Sequence, residues 1–285
     1  LEIPSDNGTI GWIYAFPPHR AHGATSEPQP KEPHPCHRIS PTRSCSSPAP
    51  APGSAKPPPS PSPARGAAVV LGARREDRLA ALAERIRSEG GKAVYRATDV
   101  TSPADNQALV DLATSTFGGL DIAFNNAGTE GLGPRPLTDD TEENFDSIYD
   151  INVKGVWLAM RAQIPALRAR GSGSIINTTS GAGRQGFGNF STYASSKFAV
   201  EGLTRSVAVE LAPEHIRVNS IAPGPIQTDM LDRATGGDTS IFETLVPIGR
   251  LGTVDEIAKA VLFIASDDAS YITAQSIGVD GGFIH

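Results

Sequence analysis

Cysteine is nearly absent from this chain of 285 residues: there are two, Cys36 and Cys45, and none beyond them. A disulfide scaffold is therefore excluded for residues 67–285, a stretch long enough to bury a core without one. Also missing is any uninterrupted apolar run near the ~20 residues of a membrane span, and Glu2 and Asp6 stand where a signal peptide would be basic. These absences predict a soluble, cytoplasmic protein without a membrane partner. Basic charge is scarce as well: residues 67–285 carry 19 Lys and Arg against 27 Asp and Glu. Phosphate-backbone affinity rests on clustered cations, so nucleic acid is not an expected partner.

Proline and histidine are distributed just as unevenly, with 16 of the 24 prolines and four of the six histidines lying in residues 1–66. From Pro28 to Pro63 the chain is Pro, Ser and Ala without an apolar period, so burial cannot offset its ordering entropy and disorder is expected. Thr9 to Phe16 has the composition of a strand, but about 50 residues separate it from the next regular element, too long a gap for a compact α/β unit. His34, Cys36, His37 and Cys45 match no paired zinc-ligand spacing, and no metal is expected.

From Ala67 the character changes. Short apolar runs at 67–71, 93–100, 120–124, 174–178, 217–221 and 276–279 predict strands. Between them, apolar residues at helical spacing predict helices around Leu79–Ile86 and Leu109–Phe117, a long one over about 142–168, and others over about 191–211 and 254–265. Repeated strand–helix units with near-continuous apolar strands imply an α/β fold, a doubly wound parallel sheet with helices on both faces. Such sheets bind ligands beyond the carboxyl ends of their strands.

The chemistry-bearing residues fall at those ends. Asn125, Asn126, Ala127 and Gly128 follow one strand, and Thr179 and Ser180 follow another. Tyr193 comes thirteen residues after Ser180, with Lys197 four further on. An i, i+4 pair shares a helix face, so the Lys197 ammonium is expected close to the Tyr193 phenol, lowering its pKa from about 10 toward that of a working base. Alone, such a pair is common on solvated helices. Here it is accompanied by Asn-Asn-Ala-Gly (125–128), Ile-Asn-Val-Lys-Gly (151–155), Tyr-Ala-Ser-Ser-Lys (193–197), Asn-Ser-Ile-Ala-Pro-Gly (219–224) with Thr228, and Val-Asp-Gly-Gly (279–282). In this order and spacing they resemble the short-chain dehydrogenase/reductase family over essentially all of residues 67–285.

The resemblance implies a nicotinamide-dependent oxidoreductase moving hydride between cofactor and an alcohol or ketone, in a homo-oligomer, tetramer or dimer. It casts Tyr193 as the acid/base, Lys197 as its modulator and a ribose ligand, Ser180 as the group orienting the substrate oxygen, and Asn152 as the anchor of a proton-relay water. Asn126 would bind the ribose region, Asp99 would meet the adenine, and Ile226 and Thr228 the carboxamide, with Gly128, Pro223 and Gly224 as further cofactor-binding positions. Simpler readings stay open: Asn152 as a polar helix residue, Asp99 as a helix N-terminal acid, Pro223 and Gly224 as a plain turn. The strand beginning at Ala67 ends in Gly72-Ala73-Arg74-Arg75, where NAD enzymes of this architecture place an acid, so NADP(H) is favoured over NAD(H). The competing reading is a surface arginine pair at a helix start. Segment 225–250, with Met230, Leu231, Ile241, Phe242 and Leu245, would form a lid, and Phe187 and Phe190 would lie near the pocket. Such apolar walls suit a hydrophobic or alicyclic substrate.

The family's opening strand and Thr-Gly-x-x-x-Gly-x-Gly phosphate loop are missing, and Pro, Ser and Ala stand in their place. The genetic code offers a reason. Shifting the reading frame by one base over about 38–65 permits Leu-Leu-Val-Thr, then Gly-Ala-Gly-Ser-Gly-Ile-Gly-Lys, then an Ala-rich helix, at the family's spacing from Ala67. Residues 38–65 are accordingly read as frameshifted. The rival reading is a non-catalytic remnant whose sheet, without its first strand, leaves the strands at 67–71 and 93–100 cut off and their edges unpaired.

Overall fold

The computed structural model describes residues 12–16 and 67–284. The stretch 38–65 read as frameshifted, the His34–Cys45 cluster and the Pro28–Pro63 segment expected to be disordered lie outside the described residues.

Seven strands form one sheet: β1 (Trp12–Phe16), β2 (Ala68–Ala73), β3 (Lys92–Ala97), β4 (Ile122–Asn125), β5 (Gly173–Thr178), β6 (Ile216–Pro223) and β7 (Ser276–Val279), in the spatial order β3-β2-β1-β4-β5-β6-β7. All neighbouring pairs are parallel except those made by β1, which runs antiparallel to both β2 and β4. Here the sequence reading is corrected twice. Trp12–Phe16 is a strand of the sheet despite its distance along the chain, and β2 and β3 are not cut off, because β1 bridges them to β4. The backbone groups of β2 and β4 must be paired, and any strand of suitable length satisfies them in either direction. Direction still matters for function. Trp12 lies beside Gly72 and Asn125, whereas Phe16 lies beside Ala68, so β1 ends at the edge opposite the carboxyl ends of its neighbours.

The alternation of side chains along parallel strands divides the core into two layers. Val70, Ala123, Ile175 and Val218 pack against Leu109, Val110 and Ala113 of α2 (Pro103–Phe117), Val156 and Met160 of α4 (Gly155–Arg170), and Val200 and Leu211 of α5 (Ser191–Leu211). Val69, Leu71, Phe124, Ile176 and Ile221 face the other way, onto Leu79 and Ala83 of α1 (Glu76–Ser88) and Ile257, Val261 and Ile264 of α8 (Val254–Ala265). The helices start where the sequence supplies acceptors: Ser102 caps α2, and Thr253 forms a reciprocal capping box with Glu256 at α8.

The long helix expected over 142–168 is interrupted. α3 (Glu142–Tyr149) passes into a π-helical turn, Asp150–Lys154, before α4 resumes. The extra residue in this turn sets the direction of Asn152 at its centre, a frequent use of π-turns at functional sites. After β6, α6 (Asp229–Thr235) and α7 (Ser240–Leu245) form the predicted lid segment. Among the described residues, no helix is long and apolar enough to cross a membrane.

Candidate active site

The carboxyl ends of β4 and β5 stand side by side, with Asn125 next to Asn177 in register. A buried amide network holds them: Asn125 Nδ2 donates to Asn177 Oδ1 (2.8 Å), Gln163 Nε2 to Asn125 Oδ1 (2.7 Å), and Asn177 Nδ2 to Thr204 Oγ1 (2.9 Å). With these amides bonded to Gln163 on α4 and Thr204 on α5, both strand ends are fixed relative to the helices that carry the site. Thr178 Oγ1 then donates to Asn126 Oδ1 at 2.9 Å.

Lys197 projects from the first turns of α5 to these strand ends, 4% exposed, its Nζ donating to Thr178 O at 3.2 Å and standing 5.7 Å from the centre of the Tyr193 ring. Ser180 follows β5 and hydrogen-bonds with Tyr193, while Ser180 Oγ accepts from Ala182 N at 3.1 Å. Asn152 is completely buried. Its Oδ1 accepts from Thr129 N (2.8 Å), and its Nδ2 donates to Thr129 O (2.9 Å) and Ser196 Oγ (3.0 Å). Both amide hydrogens are thus taken by protein, and the side chain holds the 126–130 loop. Gly128 is where the loop passes closest: a Cβ there would stand 3.2 Å from Lys197 Nζ and 3.4 Å from Asn152 Oδ1.

The electrostatics differ from the sequence expectation. Burial pushes the Tyr193 phenol above its ordinary pKa, the hydrogen bond from Ser180 opposes this, and the Glu130 carboxylate adds to the rise. Lys197 is itself lowered to about 8 by burial, with Glu201 acting against the fall. The expected lowering of Tyr193 by Lys197 is absent: desolvation of the phenolate is the leading cause of the rise, and the opposing effect comes from the Ser180 hydrogen bond.

The remaining predicted residues ring this centre. Asp99, beyond β3, accepts from Thr101 N and Oγ1 at 2.9 Å. Its carboxyl is held below the usual range by the backbone bond from Thr101, against burial, with help from the Thr101 hydroxyl and the charge of Arg74. Arg74 thus acts on the Asp99 carboxylate, the other residue expected at the adenosine end. Pro223 ends β6, and Gly224 is more than a plain turn: a Cβ there would meet Asp280 Cα at 2.7 Å. Ile226 bridges to Gly252, and Thr228 caps α6 by accepting from Leu231 N.

Three groups of contacts were not foreseen. Glu130, two residues past Gly128, accepts from Arg233 Nε of α6 at 2.8 Å. Phe283 stacks on Phe187 (5.7 Å between centres) and meets Phe242 edge-on (6.2 Å), closing the apolar wall with a residue of the last strand's tail. Phe190 meets Tyr193 edge-on, as expected of a pocket residue, whereas Ile241 and Leu245 of the lid are exposed. Glu201 is buried below Lys197. A carboxylate two residues after the strand-end glycine was a legible signal; Phe283 had none.

Comparison with known proteins agrees with this arrangement. Residues 63–284 match a family profile described as enoyl-(acyl carrier protein) reductase. The chain is 40% identical over 195 residues to a cyclohexanol dehydrogenase of Acinetobacter sp., covering 68% of this chain and 76% of that protein. It is 41% identical over 202 residues to a 2,5-dichloro-2,5-cyclohexadiene-1,4-diol dehydrogenase of Sphingobium indicum, covering 70% and 80%. A gluconate 5-dehydrogenase from Burkholderia cenocepacia, solved in complex with NADP and tartrate, superposes with a TM-score of 0.70 at 33% identity, over 75% of this chain and 84% of that one. With the fold, the strand-end motifs and these relatives in agreement, the chain belongs to the short-chain dehydrogenase/reductase family of oxidoreductases.

Proposed function

We propose that the protein transfers hydride between NADP(H) and an alicyclic alcohol or ketone, with Tyr193 moving the proton. The observation that carries this reading is the hydrogen bond between Ser180 and Tyr193 with the buried Lys197 ammonium behind them. The dinucleotide's ribose–nicotinamide end would lie at the carboxyl ends of β4 and β5, beside Lys197. An ammonium has three N–H donors, Thr178 O is one acceptor, and the absence of a side chain at Gly128 keeps the approach to Nζ open. Bound there, the nicotinamide would supply or accept the hydride.

The protein's own groups handle the oxygen and its proton. Ser180 and Tyr193 together hold a carbonyl oxygen, and a phenol whose pKa is raised by burial is protonated near neutral pH, ready to donate as the oxygen gains charge. The reductive direction is therefore favoured near neutrality, and oxidation needs higher pH. Ala73 and Arg74 at the end of β2 support NADP(H) over NAD(H), since an acid there would repel a 2′-phosphate. The wall of Phe187, Phe242 and Phe283 suits an apolar ring, in keeping with the ring alcohols named for two relatives. Phe145, Trp157 and Phe198, large apolar residues exposed on α3, α4 and α5, support association of copies of the chain; light scattering would give the state.

The test is Tyr193→Phe in a frame-restored protein. Turnover should fall by about three orders of magnitude or more while the melting profile stays cooperative. Near-parental turnover in the folded variant overturns the assignment.

One observation favours a second reading, a chain as sequenced that lacks activity. β1 fills the central position antiparallel, so its carboxyl end, Phe16, lies at the sheet edge away from Lys197 and Asn126 and not at the edge where a phosphate loop would follow a parallel strand. A thermal melt of this chain with added NADPH separates the readings. A stabilising shift supports cofactor binding as sequenced, and no shift, restored by the repaired frame, supports the frameshift. Coding DNA with no frame spelling Thr-Gly-x-x-x-Gly-x-Gly removes the frameshift.

A further inference from the structure

Glu201 is a buried carboxylate, 4% exposed, with no part in the chemistry above. It lies on α5 one turn beyond Lys197 and gathers three hydroxyls, from Thr179 just past β5, Ser220 within β6 and Ser276 at the start of β7. Thr179 Oγ1 and Ser276 Oγ donate to Oε1, each at 2.7 Å, and Ser220 Oγ donates to Oε2 at 2.8 Å. Thr179 is the link between Thr178, whose carbonyl receives Lys197 Nζ, and Ser180, which hydrogen-bonds with Tyr193. An isolated carboxylate in such a place is costly, and three hydroxyl donors offset part of that cost.

We infer that Glu201 is a positioning residue of the active site: its carboxylate is the fixed counter-charge of the Lys197 ammonium and pins the turn from Thr178 to Ser180. The charged and titratable groups around the pair are few. On α5 itself stand Tyr193 and Arg205, whose largely exposed Nη2 is 4.0 Å from Glu201 Oε2. From the 126–130 loop, Glu130 acts on Tyr193. β5, β6 and β7 present hydroxyls. Lys197, lowered to about 8 by burial, would lose its proton still more readily without Glu201. A carboxylate that only stapled α5 to the strands would also be satisfied by a neutral amide; a counter-charge would not.

The inference rests on the proposed roles of Ser180 and Lys197, but its test reads Lys197 directly and needs no turnover. In protein carrying 13C-labelled lysine, the Lys197 signal, identified by its loss in Lys197→Met, is titrated in the parent chain and in Glu201→Gln. The midpoint should fall by about one pH unit in Glu201→Gln, as expected for loss of a nearby opposite charge. An unchanged midpoint in the folded variant overturns the inference. Should Glu201→Gln fail to fold, the parent decides: the Glu201 carboxyl carbon should show an inflection at the Lys197 midpoint, and its absence overturns the inference equally. A fall in midpoint alongside a fully active Tyr193→Phe would leave the counter-charge standing and remove the proposed proton donor instead.

Discussion

Arg233 of the lid donates from Nε to Glu130 Oε1 at 2.8 Å, joining α6 to the loop that follows β4. The arginine side chain is 61% exposed and the glutamate 10%, so the pair holds the lid only weakly, by about 1 kcal/mol or less. Arg233→Ala should therefore raise KM a few-fold and leave kcat nearly unchanged in the frame-restored protein. Loss of kcat with KM constant would show that the contact does not serve the lid.

The same carboxylate disfavours phenolate at Tyr193. Removing its charge in Glu130→Gln lowers the phenol's pKa, so the pH–rate curve for alcohol oxidation should move to lower pH. A curve that stays in place would remove Glu130 from the electrostatics of the proton donor.

Lys197 trades stability for chemistry. The folded protein binds its proton more weakly than the unfolded chain, at about 8 against 10.5, so unfolding takes up a proton in this window and stability rises with pH across it. The protonated residue costs about 3 kcal/mol below pH 8, to within a factor of two. Lys197→Met should abolish turnover, melt no lower than the parent at pH 7, and lose the parent's gain in stability between pH 8 and 10. Melts of both proteins across that range decide it.

Asn152 is a structural keystone of the 126–130 loop. Asn152→Ala would leave Thr129 N and O and Ser196 without their partner in a buried place, at a cost of about 2–4 kcal/mol. Urea unfolding should show that loss, with turnover reduced as well because Gly128 lies against Lys197. A variant of parental stability would mean the loop is held by other contacts.

Cofactor choice is tested at the end of β2. Arg74→Ala should narrow the ratio of kcat/KM for NADPH over NADH by about tenfold or more, the scale of one charge-assisted phosphate contact. A parent enzyme more efficient with NADH would show that Ala73 and Arg74 do not select the cofactor.

Much of the sheet was determined by local pattern. The helix over 254–265 and the strand over 276–279 coincide with their predicted limits, because apolar periodicity and the Thr253–Glu256 cap are local properties of the chain. Tyr193 and Lys197 share a face of one helix for the same reason, and motif order placed Ser180 and Asn126 at neighbouring strand ends. What distant segments decide was not legible. The central position of β1 depends on unpaired edges of β2 and β4, which accept a strand of either direction, and no local signal encodes that choice. The interruption at 150–154 goes with the contact of Asn152 to the loop at Thr129, and the contacts of Glu130, Glu201 and Phe283 join residues far apart in the chain. The direction of the Tyr193 shift was misjudged because spacing reveals a neighbouring charge but not desolvation. Burial is a property of the assembled molecule, and here it is the leading cause of the shift.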